Sequence, residues 1–166
     1  VACLIGQSMA VQHSKLNRNP AKVGAVGEGF QDMTYFPHTK DSLVTLLIYL
    51  DYADEENGCL QVLKGSHLLG RIDHVLTGDQ AGADLERVHE AQKRLELVYV
   101  EMEPGDVLFF HANLLHRSDQ NKSDNPRWSM ICCYNAARND PYKEAHHPRY
   151  TPLHKVPDSA IREAGL

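Results

Sequence analysis

The chain lacks an excess of positive charge. Against 17 Lys and Arg stand 22 Asp and Glu, a formal net charge of −5, so there is no broad basic face for the phosphates of a nucleic acid. It also lacks any apolar run near the roughly 20 residues that span a bilayer, which excludes a transmembrane helix. The opening residues Val1-Ala2-Cys3-Leu4-Ile5 have neither a basic leader nor a small-residue cleavage site, so they are not an intact signal peptide. They read as strand-like. With Val rather than Met in first place, the chain reads as a protein without its N-terminal portion. No Cys-X-X-Cys pair occurs among Cys3, Cys59, Cys132 and Cys133. The four read as free thiols of a reducing, cytoplasmic compartment rather than as disulfides or a zinc site, with Cys132 and Cys133 on opposite faces of one strand. Internal repeats and low-complexity tracts are absent too.

What is present is an ordinary globular composition, 42% hydrophobic and 23% charged over 166 residues. That suits one domain over 1–166, able to bury roughly two-thirds of its unfolded surface. Short β-rich runs recur at Leu43 to Leu50, Cys59 to Leu63, Leu97 to Glu101, Val107 to His111 and Trp128 to Tyr134. Turn chemistry separates them: Glu56-Asn57-Gly58, Lys64-Gly65-Ser66, Glu103-Pro104-Gly105-Asp106 and the polar stretch Asp119 to Pro126. One helix, Ala83 to Leu95, sets Leu85, Val88, Ala91 and Leu95 near one face. It belongs to an insertion over about 78–95, packed outside the sheet. A short helix is expected from Asp158 to Ala164, inside an irregular tail over about 139–166. Many short strands without alternating helices indicate an all-β sandwich or jelly roll.

The chemistry concentrates in three stretches. In the segment from Pro104 to Ser118 a tight turn feeds an apolar strand, and His116 sits where the chain leaves the apolar layer. Ser118, two residues on, shares its face. A polar loop then returns the chain to Arg127. Such a hairpin holds an imidazole, a hydroxyl and a guanidinium around one cavity: a metal ligand and a fork that grips carboxylates. The second stretch is Gly29-Phe30-Gln31-Asp32-Met33-Thr34-Tyr35-Phe36-Pro37-His38-Thr39. The third runs from Asp54 through Glu56-Asn57-Gly58-Cys59-Leu60 to Gly65-Ser66-His67.

In order and spacing these three, over about Val11 to Ala137, resemble the phytanoyl-CoA dioxygenase family of iron(II)/2-oxoglutarate-dependent oxygenases, which includes the ectoine hydroxylases. The resemblance implies a double-stranded β-helix, the jelly-roll barrel of the cupins. It implies iron on a facial triad of two histidines and one carboxylate, with 2-oxoglutarate as cosubstrate, dioxygen, and a small organic or acyl substrate to be hydroxylated. Carried over by position, Asp32 and His116 are metal ligands and Arg127 clamps the far carboxylate of 2-oxoglutarate with help from Ser118. His13 or Lys15, on the strand before Asp32, falls at cosubstrate or substrate contacts. Asn19-Pro20 stands where many members have Lys-Pro.

One position departs from the pattern. Two residues before Asp32, where the family places its first histidine, the chain has Phe30, and a phenyl ring has no lone pair for iron. Three readings follow: a silenced binding module that keeps the pocket and its carboxylate clamp, an altered position in an otherwise active oxygenase, or replacement of the lost ligand by His38 or His111. An isomerase or another metal-dependent cupin is disfavoured, because those barrels bring more histidines to the metal. The remaining histidines have plain roles. His67 fixes the Gly-Ser-His turn, His74 and His89 are solvated residues of the insertion, and His146-His147 belong to a solvated tail. Asp51, Asp54, Glu55 and Glu56 form a solvated turn without the ligand spacing of a calcium loop. Tyr35, Phe36 and Leu47 are core residues or the apolar walls of a pocket.

Overall fold

The structure, a computed structural model, describes residues 1–6, 8–22, 29–36, 38, 40–77, 80–142, 151–154, 156–157 and 159–164. The elements run α1 (Ala2–Ile5), β1 (Met9–Asn19), β2 (Val44–Tyr49), β3 (Leu60–Leu63), β4 (His74–Thr77), β5 (Gln80–Ala83), α2 (Leu85–Gln92), β6 (Leu97–Val100), β7 (Val107–His111), β8 (His116–Ser118), β9 (Arg127–Ala136), β10 (Thr151–Pro152) and α3 (Ser159–Glu163). The apolar runs at 43–50, 59–63, 97–101, 107–111 and 128–134 all become strands. Their β-branched and aromatic side chains suit a pleated surface buried on at least one face.

Two antiparallel sheets form the body. One has the order β10-β1-β9-β2-β7, the other β6-β3-β8, and β4 with β5 makes a separate ribbon. Neighbours across the large sheet are distant in sequence, as in a double-stranded β-helix. A core of Leu47, Tyr49 and Phe110 from the large sheet and Cys59 and Leu60 beside the small one joins the two. A second cluster, Leu63, Ile72, Val88, Ala91 and Leu115, seats α2 against the small sheet's side. The Asp84 side chain caps α2 by accepting a hydrogen bond from the Arg87 N–H, as an N-terminal aspartate does.

Register decides what faces the interior. Because side chains alternate, the inner surface of the large sheet is a set of rows. His13 lies beside Cys133, which lies beside Thr45 and then Phe110. Lys15, Ile131, Leu47 and Leu108 form the next row, and Asn17, Ser129 and Tyr49 the one after. The pairing of β1 with β9 shifts between Val11 and His13, so Gln12 is an extra residue in β1. Bulges of this kind re-aim side chains. Gln12 is buried, its side-chain oxygen against His38 Nε2 at 3.1 Å.

Four sequence expectations are corrected. The strand-like opening is a single helical turn, α1, closed by Gly6 at φ 101°; a short apolar run does not by itself distinguish strand from helix. The insertion over 78–95 carries strand β5 ahead of its helix, paired with β4. The tail is not wholly irregular, since Thr151–Pro152 pairs with Val11 and Ala10 at the edge of β1. His74 is not a solvated residue but a half-buried strut, described below. Asp158 and His146-His147 lie outside the described residues.

Leu43 is fully buried against Met33, Phe36, Ala112 and Cys133, beneath the segment that carries Asp32. Leu43→Ala is expected to lower the unfolding free energy by about 2–5 kcal/mol, read by chemical denaturation.

Candidate active site

A cavity of about 530 Å³ opens between the sheets, lined by polar groups (His13, Lys15, Asn17, Asp32, Thr45, His116, Ser118, Arg127) and by apolar walls that include Phe30, Tyr35, Phe36, Leu47 and Phe110. All five site residues named from the sequence, Asp32, His116, Arg127, Ser118 and His13, line this one space. Tyr35, Phe36 and Leu47 line it too.

Asp32 opens a one-turn 3-10 helix, Asp32–Thr34. Gln31, fully buried, anchors that turn. Its amide nitrogen donates to the carbonyls of Gly70 and Asn113 at 2.9 and 2.6 Å, and its oxygen accepts from Ile72 N at 2.8 Å. The Thr45 hydroxyl donates to Asp32 Oδ2 at 2.5 Å, which fixes the carboxylate plane. The other oxygen, Oδ1, faces His116 Nε2 at 3.7 Å. His116 is 5% exposed, and its Nδ1 donates to the Leu114 carbonyl at 2.9 Å. That bond leaves the Nε2 lone pair pointing toward a carboxylate oxygen. Two acceptors face to face in a buried place call for a cation between them, a proton or a metal ion.

The chemistry of the pair suits a divalent metal, with one carboxylate oxygen, one imidazole nitrogen, and a hydrogen-bonded partner behind each. The third protein donor is not there. Phe30 forms an antiparallel bridge with His116, with Phe30 N to His116 O at 3.0 Å and His116 N to Phe30 O at 3.1 Å. Directly paired residues point the same way, so the phenyl ring lies beside the imidazole, with centroids 4.3 Å apart. Among the described residues no group of three His, Cys, Asp or Glu converges on a metal position. His38 and His111 do not replace the missing donor. His38 is buried with its nitrogens engaged by the Asn139 carbonyl at 2.8 Å and Gln12. His111 pairs with Asp41 at 3.1 Å and accepts from Asn113 N. Neither is among the residues lining the cavity.

Arg127 is 4% exposed at the start of β9. Its Nη2 donates to the Gly58 carbonyl at 2.8 Å and its Nε to the Asn57 carbonyl at 3.4 Å, and the guanidinium lies 5.2 Å from the Tyr49 ring centre. Nη1 has no partner among the described residues. The charge is thus held rigid from one side, leaving a donor edge for an anion. Gly58 makes the geometry possible: φ is +76°, and a Cβ there would meet the Asp119 carbonyl at 2.4 Å. Tyr49 in turn accepts from Leu60 N at 3.0 Å, and burial pushes its hydroxyl above the ordinary tyrosine range. Cys133 lines the same cavity, and burial, with the Asp32 charge nearby, pushes its thiol up to about 12, so it is protonated at neutral pH and not a nucleophile.

Sequence reasoning missed Thr45, Tyr49 and the Gly58 carbonyl. A lone Thr in the apolar run Leu43 to Leu50 was the available signal for the first. It also missed the strut behind Asp32. His74 Nε2 accepts the Gln31 backbone N–H at 3.1 Å, and its Nδ1 lies 2.9 Å from Thr34 Oγ1 and 3.0 Å from the Ile72 carbonyl.

Comparisons with known proteins bear on this geometry. The sequence profile of the phytanoyl-CoA dioxygenase family matches residues 1–129. The peroxisomal phytanoyl-CoA dioxygenase of Bos taurus is 31% identical over 138 residues, 80% of this chain and 41% of the relative. A probable alpha-ketoglutarate-dependent hypophosphite dioxygenase of Stutzerimonas stutzeri is 34% identical over 136 residues, 80% of this chain and 47% of the relative. The chain therefore spans less than half the length of these two proteins. Among solved structures, EctD from S. alaskensis with 2-oxoglutarate and 5-hydroxyectoine superposes with a TM-score of 0.74 at 23% identity, covering 92% of this chain and 56% of that one. At that identity the likeness is one of fold.

The His74 strut has a pH signature. Burial lowers its pKa below the ordinary histidine value, with the Arg71 charge lowering it further, while the bond to the Ile72 carbonyl and the Asp73 charge raise it. The stability it contributes is complete above the unfolded pKa of about 6.5 and is lost as pH falls toward the lower folded value, because the unfolded chain then takes the proton first. Between pH 7.5 and 5 the unfolding free energy of the native chain is expected to fall more steeply than that of His74→Gln, measured by denaturant titration. Parallel profiles would remove the strut.

Proposed function

This chain belongs to the phytanoyl-CoA dioxygenase family, and from that premise we propose that it is an iron(II)/2-oxoglutarate-dependent oxygenase for a small organic or acyl substrate, with a metal site weakened by Phe30. The observation that carries the reading is the convergence of Asp32, His116, Ser118 and Arg127 on one cavity between the sheets. Asp32 and His116 would hold the iron. When bound, iron(II) supplies the redox chemistry that couples decarboxylation of 2-oxoglutarate by dioxygen to hydroxylation of a substrate C–H bond.

The remaining work falls to the chain itself. Thr45 holds the carboxylate of Asp32 in one orientation, and the Leu114 carbonyl keeps the proton of His116 on Nδ1, so Nε2 stays a donor toward the metal. Arg127, braced by the Asn57 and Gly58 carbonyls, presents Nη1 to the far carboxylate of 2-oxoglutarate, with the Ser118 hydroxyl beside it and His13 as a further contact. Phe36, Leu47, Leu60 and Phe110 keep water from the reacting end. A second reading is favoured by the Phe30 ring packed on His116: a module that binds a carboxylate ligand and oxidises nothing.

One titration separates the two. Iron(II) and 2-oxoglutarate are added without oxygen to the native chain and to Phe30→His, and the visible charge-transfer band of the chelate is followed. The restored histidine is expected to strengthen iron binding by more than the roughly 10–100-fold associated with a second-layer partner. Equal bands would mean that another group completes the site. A band confined to Phe30→His would favour the silent module. Independently, Arg127→Ala is expected to weaken 2-oxoglutarate binding by about 30-fold or more by calorimetry, as for loss of a charge-assisted pair. Unchanged affinity would refute the clamp.

A further inference from the structure

A second cleft lies on the far side of the small sheet from the main cavity. Leu60, His116 and Ser118 line the main cavity, so the residues alternating with them along β3 and β8 face the other way. There Tyr99, Gln61 and Arg117 form one row by register, and Leu97 pairs with Leu63 in the next. Helix α2 covers this outer face, and between helix and sheet a space of about 130 Å³ remains. His116 is the one residue common to the described linings of the two cavities. Otherwise the ladder of β3 and β8 stands between them.

Most of the cleft's wall is apolar: Leu63, Leu85, Val88, Leu97 and Leu115. Gln61 and Arg117 break the pattern. Gln61 is 1% exposed. Its Oε1 accepts from Arg117 Nε at 3.0 Å, which fixes the amide's orientation and leaves Nε2 as the free end. That nitrogen has no hydrogen-bond partner among the described residues. Burying an amide N–H without a partner is unfavourable, and a leucine would fill the position as its neighbours do. Arg117 is engaged through Nε alone. Asp119 Oδ1 lies 3.8 Å from that same nitrogen, and Asp119 is not part of the lining. Both Nη groups of Arg117 lack partners among the described residues. Amide and guanidinium therefore present donors, side by side, to a leucine-lined space.

Donors without acceptors suit the oxygens of an anion, and the leucines suit an alkyl group. A cavity of about 150 Å³ takes benzene, so this one takes about five or six non-hydrogen atoms, fewer than 2-oxoglutarate has. We propose that the cleft is a second binding site, separate from the cosubstrate's, for a short-chain monocarboxylate of the size of propionate or butyrate. Its oxygens meet Gln61 Nε2 and the Arg117 guanidinium, and its alkyl end lies among Leu63, Val88 and Leu115. Arg117 stands between His116 and Ser118 on β8, so the occupant touches the strand that carries both. The site requires neither iron nor 2-oxoglutarate.

The test is butyrate against its neutral counterpart butyramide, titrated into the isotope-labelled chain and followed by backbone amide chemical shifts. Butyrate is expected to move the amides of Gln61, Leu63, Val88 and Arg117, and to do so equally in Arg127→Ala, where the main cavity's clamp is gone. Butyramide is expected to bind about tenfold more weakly or worse, as is butyrate to Arg117→Met. Leu85→Trp, which fills the space from the helix side and leaves Arg117 in place, is expected to abolish the shifts. No shifts at all, as for a cleft that holds only water, would overturn the proposal. So would equal binding of the amide, binding indifferent to both Arg117→Met and Leu85→Trp, or shifts centred on Ser129 and Ile131 that vanish in Arg127→Ala, which would place the acid in the main cavity.

Discussion

The site depends on two backbone hydrogen bonds, those that join Phe30 to His116 in an isolated bridge. They tie the segment leading into Asp32 to the strand that carries His116, and they involve no side-chain atom. Whatever residue stands at position 30 is therefore delivered to the same place, flush against the imidazole. A phenylalanine is accommodated there without disturbing the frame. Its ring gains an aromatic neighbour in His116 and apolar burial. The frame and the chemistry of position 30 are separable in this architecture, because the bridge is made by main-chain atoms whichever side chain the position presents to the cavity.

Electrostatics follow a similar division. Arg127 is a buried cation, costly unless its hydrogen-bonding groups are met, and the chain meets several of them with main-chain carbonyls and a tyrosine face rather than a carboxylate. Neutral partners brace the charge without cancelling it. The guanidinium is thus desolvated and oriented in advance, which would lower the entropy lost on binding an anion. Asp32 is braced in the same manner by a hydroxyl.

Much of the fold was legible because its strongest strands are short apolar runs between unmistakable turns. Val44–Tyr49, Leu60–Leu63, Leu97–Val100 and Val107–His111 fall within a residue or two of the runs that announced them. Strand β1 was legible only through what followed it. Its alternation is of polar residues, His13, Lys15 and Asn17, because it faces a cavity rather than a core, and hydrophobic periodicity is blind to such a strand. The one-turn helix α1 and the two-residue β10 are too short for any pattern. At the site, the order of Asp32, His116, Ser118 and Arg127 came from family resemblance. Their supports did not, since carbonyls of a turn and a histidine 42 residues beyond Asp32 act through distances that only the folded chain creates. Phe30 stood out in the sequence because a nitrogen donor is missing where the resemblance places one, while the choice among its three readings depended on where His38 and His111 sit in the folded chain.

The extra residue at Gln12 has a consequence for how such a pocket changes over time. Val11 and His13 pair with consecutive residues of β9, Tyr134 and Cys133, so losing Gln12 would leave a regular ladder with His13, Lys15 and Asn17 still facing inward. A deletion two positions on, at Ser14, would instead turn Leu16 and Arg18 inward and Lys15 and Asn17 out, because a strand's faces alternate with every residue. One stretch of this wall thus absorbs a three-nucleotide deletion silently, while its neighbour would be recast by the same event.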